Sequence, residues 1–198
     1  MRKIVSSRSK YPRIMGFLSS HIDYTKTKEL IVLLAFRLGK KSNYGATLLN
    51  KALYFVDNIY YLKKGAPISE LRYVKQEFGP TPDPALFLVL KDQLLDSNDL
   101  SLVESEFFGR IQKKLMANRE PAWNLFSADE IAQIDEVVAD IADLNGSEVS
   151  EFSHQFPAWQ AAADREPLPF YTFLLSFKTP SDSDISWAMN EIKNVQSH

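Results

Sequence analysis

Apolar residues recur at helical spacing from Thr25 to Leu38, with Leu30, Leu33, Leu34 and Leu38 on one face. The pattern predicts a helix that Gly39 ends in the left-handed conformation. A second helix is expected from about Tyr44 to Lys64. Leu48, Leu49, Ala52, Leu53, Val56, Ile59 and Tyr60 form a wide apolar stripe along it. Lys63 and Lys64 suit its C-terminal dipole and Gly65 its termination. The β-formers of Leu71–Phe78 then predict a strand. In Phe78-Gly-Pro-Thr-Pro-Asp-Pro84, three prolines in five residues exclude a helix and a central strand and require a stiff, extended loop. Asp83 and Pro84 are the N-cap and first residue expected of a helix running from Ala85 to Leu95.

Residues 101–107 and 110–117 predict a hairpin about Phe108-Gly109, which the strand near Tyr73 would complete as one small sheet. Beyond the loop Asn118–Trp123, Ser127-Ala-Asp-Glu130 has capping-box spacing, and Ile131, Ile134, Val138 and Ile141 form one helical face after it. Asn145-Gly146 is expected to end that helix. Short helices over Glu148–Gln155 and Ala158–Ala163 follow, then the loop Glu166–Pro169 and Phe170–Leu175. Ser181-Asp-Ser-Asp184 opens a last helix, with Ile185, Ala188, Met189 and Ile192 facing inward. The pattern predicts an α+β fold, a mainly helical single domain with a small antiparallel β-sheet of about three strands. Its parts are a basic extension over 1–24, a domain over 25–177 and a C-terminal helix over 178–198.

Composition narrows this picture. Of 198 residues 45% are hydrophobic, enough to bury a core, and there is no cysteine, so disulfides, thiol nucleophiles and thiolate metal sites are excluded. No apolar run approaches the roughly 18 residues of a membrane span. The expectation is a cytoplasmic protein that contacts no membrane. The net charge of -2 hides an asymmetry, since residues 1–41 carry ten Lys or Arg against only Asp23 and Glu29. The compensating negative charge lies after Ser127. A basic start suits nucleic acid or an acidic partner, and an acidic end suits a basic one; solvated helix faces that differ in sign explain the same pattern.

Signatures of catalysis are missing. There is no G-x-G-x-x-G, phosphate-binding loop, G-x-S-x-G elbow or H-E-x-x-H, and the three histidines, His21, His154 and His198, are far apart. No catalytic, cofactor-binding or metal-binding residue is therefore assigned. His154, five residues before Trp159, can either carry protons or order two short helices. Asp57 can pair with a base, cap a neighbouring loop or sit at a solvated edge. Tyr54, Tyr61, Tyr73 and Phe78, from an aromatic-rich stretch beside the proline loop, are candidate partner contacts, because exposed tyrosines are favoured at binding hot spots.

One ordered set of motifs goes further. Leu49-Asn-Lys-Ala-Leu-Tyr-Phe-Val-Asp57 is followed by Lys64-Gly-Ala-Pro-Ile68, then by Arg72-Tyr-Val74 and by Phe78-Gly-Pro80 with Pro82 two residues on. Ser127–Glu130, Ser153-His154, Trp159 and Pro167-Leu-Pro169 come later. This order resembles the SocA-like Panacea domain of antitoxins, over about residues 28–175. The matching positions are Lys51, Tyr54, Phe55, Asp57, Pro67, Tyr73, Gly79, Pro80, Pro82, His154 and Trp159. Ala52 and Glu70 depart from the family pattern, which bears on local packing. The resemblance implies a bacterial or phage-borne antitoxin that neutralises a cognate toxin by binding it. It also implies an alternative, delivery of the toxin to a Clp-type protease, as the name-giving relative does. Separately from the resemblance, the basic start makes DNA-binding autoregulation a further alternative.

Overall fold

The computed structural model describes residues 22–107 and 109–176. The body of the basic extension and the expected helix over 178–198 lie outside the described residues, as do His21, His198 and Phe108.

Two helices form the centre. Helix α1 (Thr25–Leu38) buries every residue from Glu29 to Ala35, and helix α2 (Ala46–Lys64) buries Leu48, Leu49 and the whole run Lys51–Asn58. A helix apolar on more than one face needs neighbours on more than one side. Helices α4 (Ala128–Ile141) and α5 (Gly146–His154) and a long hairpin supply them. Helix α3 (Pro84–Asp96) packs at the hairpin's base, and α6 (Pro157–Ala161) and the 3₁₀ turn Phe170–Ser176 close the remaining side.

The α+β class holds, but the sheet divides in two. Strands β3 (Leu100–Phe107) and β4 (Arg110–Ala117) make the expected hairpin, Leu100 opposite Ala117 and Phe107 opposite Arg110. Strand β1 (Tyr73–Val74) does not join it. It pairs with β2 (Thr81–Pro82), inside the proline loop, placing Tyr73 opposite Pro82. Proline has no N–H to donate, so this ladder stays two residues long and at an edge. On its other side Leu168 N donates to the Tyr73 carbonyl at 2.8 Å.

Local chemistry sets the helix ends. Asp83 caps α3 by accepting from the Ala85 and Leu86 N–H groups, and Ser127 and Glu130 close the expected capping box on α4. Gly65 ends α2 with φ +78°, but Gly39 follows α1 in the right-handed region at φ -58°. Asn145 is not a stop signal alone: it caps α5, with Glu148 returning the bond to its own N–H.

Part of the charge asymmetry is answered within the fold. Lys26, Arg37, Lys63 and Lys64 on α1 and α2 pair with Glu130, Asp135, Glu136 and Asp129 on α4, and Lys41 pairs with Asp143 just beyond it. Each mostly exposed pair is screened by solvent and stabilises little, yet together they set α4 against the basic helices. Much of the acidic second half thus meets a basic partner in its own chain.

Candidate functional site

Asp57 is fully buried on α2 and faces the segment that follows the Gly65 reversal. Half-buried Pro67 leads the chain back so that the N–H groups of Ile68 and Ser69 donate to Asp57 Oδ1 at 3.0 and 2.9 Å. The Ser69 hydroxyl donates to Oδ2 at 2.5 Å, and the Tyr73 hydroxyl lies 2.6 Å from Oδ2 and 2.8 Å from the Leu53 carbonyl. Burial raises the Asp57 carboxyl pKa, while the Ser69 hydroxyl, the Tyr73 hydroxyl and the two N–H groups oppose that shift. Burial also raises the Tyr73 phenol, and the neighbouring carboxylate adds to it. A buried carboxylate with four donors is a brace: it ties α2 to the loop and to β1.

Lys51 lies nearly two turns earlier and is also fully buried. Its Nζ donates to the Pro80 carbonyl at 2.8 Å. Burial brings its pKa down to about 7. The loop can approach this closely because residue 79 is glycine. Gly79 has φ +93°, and a Cβ there would stand 2.1 Å from Ser153 Oγ and 2.8 Å from Lys51 Nζ. From the other side, Ser150 Oγ donates to the Phe78 carbonyl at 3.1 Å and Ser153 Oγ to the Ser150 carbonyl at 2.7 Å.

The His154 ring stacks on Trp159 with centroids 3.8 Å apart, spanning the step between α5 and α6. Trp159 Nε1 donates to the Gln76 carbonyl at 3.2 Å, and the Lys75 ammonium sits 4.4 Å from the indole centroid. Burial lowers the His154 pKa, and the Lys51 charge lowers it further. His154 thus orders two short helices against the loop, and among the described residues no three His, Asp or Glu side chains converge as metal ligands.

These contacts leave the 78–84 loop as one wall of a surface groove of about 890 Å³. Lys51 lies at its floor, and Phe78, Thr81 and Pro82 come from the loop. Lys91 of α3 and Arg165 contribute positive charge, and Glu77 and Asp83 negative charge. Phe78 is 63% exposed at the lip.

The candidate contacts separate on this geometry. Tyr54 and Tyr73 are buried, stacked edge-on at 5.3 Å, so neither can touch a partner. That corrects the expectation for both: Tyr73 is drawn inward by Asp57, and Tyr54 packs among Phe55, Tyr73 and Phe173. Tyr61 is half-buried and stacks on Phe170 at 5.4 Å. Phe78 alone of the four is exposed. The motif positions Lys51, Gly79 and Pro80 meet at the 78–84 loop, Asp57 and Tyr73 meet each other beside Ser69, and the His154–Trp159 pair bonds to the backbone at Gln76, whereas Phe55 packs on Phe152 and Phe156. Ser69 and Ser150 also hold the loops, and no local pattern marks either one.

The family model for the SocA-like antitoxin, Panacea domain, matches residues 49–160. The match begins in α2 just before Lys51 and ends just after Trp159, so it takes in the Asp57 brace, the Lys51–Gly79 contact and the His154–Trp159 stack. No curated protein and no solved structure matches the chain. The chain belongs to the SocA-like Panacea antitoxin family.

Proposed function

We propose that this family member is an antitoxin that neutralises a cognate toxin by binding it directly, with the Phe78–Pro84 loop and its groove as part of the contact surface. The family match over residues 49–160 carries this reading. The geometry agrees with it: buried braces hold a stiff loop whose exposed group is an aromatic ring. A contact held rigid before binding loses little entropy on association. The role assigned is binding, not catalysis.

The test is co-expression with the product of the neighbouring gene. Growth should be rescued and the two proteins should co-purify. A neighbour that stays toxic and unbound in the presence of the folded chain overturns the reading. The same experiment separates occlusion from delivery to a protease. Unchanged toxin levels with lost toxicity mean occlusion, and a shortened toxin half-life means delivery.

A further inference from the structure

The two edges of the β3–β4 hairpin are not equivalent. Asn118 N donates to the Asp99 carbonyl at 2.9 Å just outside the ladder, which fixes its phase. Opposed residues of an antiparallel pair alternate between bonded and unbonded. With Leu100 opposite Ala117, this makes Ser101, Val103 and Ser105 the residues of β3 that bond to β4. The N–H and C=O groups of Leu102, Glu104 and Glu106 point to the outer edge, where among the described residues no hydrogen bond reaches them. Leu102, Val103, Glu104 and Glu106 are all exposed. The β4 side is occupied instead. Tyr44 donates its hydroxyl to the Leu115 carbonyl at 2.8 Å and Lys114 Nζ donates to the Ser42 carbonyl at 2.9 Å, so the loop between α1 and α2 holds that strand.

A row of outward N–H and C=O groups is a template for one more strand. The side chains decide which strand fits. Alternation places Leu102, Glu104 and Glu106 on one face and Val103 and Ser105 on the other. Glu104 lies opposite Lys113 with a contact of only 3.9 Å, and Glu106 lies opposite Ile111, so no cation stands across the hairpin from it. A second copy laid along the same edge would set these carboxylates against their own kind, which destabilises a strand pair. The chain's own basic strand, with Arg110, Lys113 and Lys114, is β4, the one already held by the α1–α2 loop. The edge thus works against self-pairing and favours a foreign strand of opposite charge.

We propose that the outer edge of β3 is a docking site for an extended strand of another protein that alternates basic and apolar residues. Its backbone pairs with Leu102, Glu104 and Glu106, its cations lie over Glu104 and Glu106, and its apolar side chains lie beside Val103. The site is separate from the Phe78 groove and does not depend on the partner being a toxin.

The probe is the capped synthetic peptide Arg-Val-Lys-Val-Arg-Val-Lys, added at millimolar concentration to the isotope-labelled full chain. In amide NMR spectra, the signals of Leu102, Glu104 and Glu106 should shift and their hydrogen exchange should slow several-fold. Those of Ser101, Val103 and Ser105, already bonded to β4, should change little. The same peptide with Glu in place of every Arg and Lys should have no effect on wild type, and should bind Glu104→Lys with Glu106→Lys, which should lose the basic peptide. If that double variant does not fold, the two peptides on wild type make the same comparison. Equal binding of both peptides overturns the proposal, as does a response without the two-residue alternation or no response at all. Protection of the three outward amides in the free chain overturns it too. Protection that grows with protein concentration would assign the edge to a second copy, and protection that does not would assign it to the chain itself.

Discussion

Lys51 and Asp57 sit on one helix, neither exposes any surface, and among the described residues neither has an ion-pair partner. Their surroundings differ. Asp57 collects four donors and is satisfied on both oxygens. Among the described residues Lys51 has a single acceptor, the Pro80 carbonyl, and it lies at the floor of an open groove. The Asp57 end of α2 is built to hold. The Lys51 end is built to hold a loop in place beside a space that something else can enter. Burial alone does not tell a brace from the underside of a binding surface; the number of satisfied hydrogen bonds does.

The largest expected effect tests the satisfied end. Asp57→Ala strands two N–H groups and the Ser69 hydroxyl in the core, leaving the Tyr73 hydroxyl only the Leu53 carbonyl, and should lose about 3–5 kcal/mol in urea unfolding, enough to unfold a marginal domain. Asp57→Asn should recover at least half of that, since an amide oxygen still accepts from Ile68 and Ser69; equal losses in the two variants would mean that the bonds matter less than the fit. Gly79→Ala comes next. The left-handed φ and the collision with Ser153 Oγ should together cost about 2–4 kcal/mol, measured the same way.

A pH series isolates the other end. The Lys51 pKa is about 7 in the fold and near 10.5 unfolded, so between these values the unfolded chain binds more protons. Stability from this group is therefore fully present above 10.5 and lost as pH falls to 7, with a slope of roughly 1 kcal/mol per pH unit. His154 is shifted downward and Tyr54 and Tyr73 upward, away from this window. Urea midpoints at pH 7.0 and 9.5 should diverge in the wild type more than in Lys51→Met, and parallel behaviour of the two proteins would remove Lys51 as the source. The smallest stability effect belongs to Phe78→Ala, within about 0.5 kcal/mol of wild type, because the ring is mostly in solvent. On the proposed function, the same variant should weaken toxin capture at least about tenfold in a titration. Unchanged capture would move the contact surface away from the loop.

How much of this was legible in the sequence depends on how local the cause is. Helix α1, the Asp83 cap and the Ser127–Glu130 box follow from residues within a few positions of one another, and they stand where the pattern predicts. The motif order pointed to the family. The partner of β1 was not readable, because Thr81–Pro82 is too short and too proline-rich to look like a strand. Tyr54 and Tyr73 were misplaced for a related reason. Whether a tyrosine faces out or in depends on a hydroxyl acceptor, and for Tyr73 that acceptor is sixteen residues away. The acidic second half suggested an outside partner because the ion pairs to α1 and α2 link residues up to 104 positions apart.

That separation has a meaning in time as well as in space. A ribosome adds about 5–20 residues each second, so Lys26 leaves it roughly 5–20 s before Glu130 does. Through that interval the two most extensively buried helices of the described residues exist as a positively charged nascent chain without their acidic cover. Helix α4 is then a late clasp, drawn by charge onto a hydrophobic pair that has waited for it. The order of synthesis, not only the final contacts, makes that stretch of the chain the step at which the basic helices first meet their acidic cover.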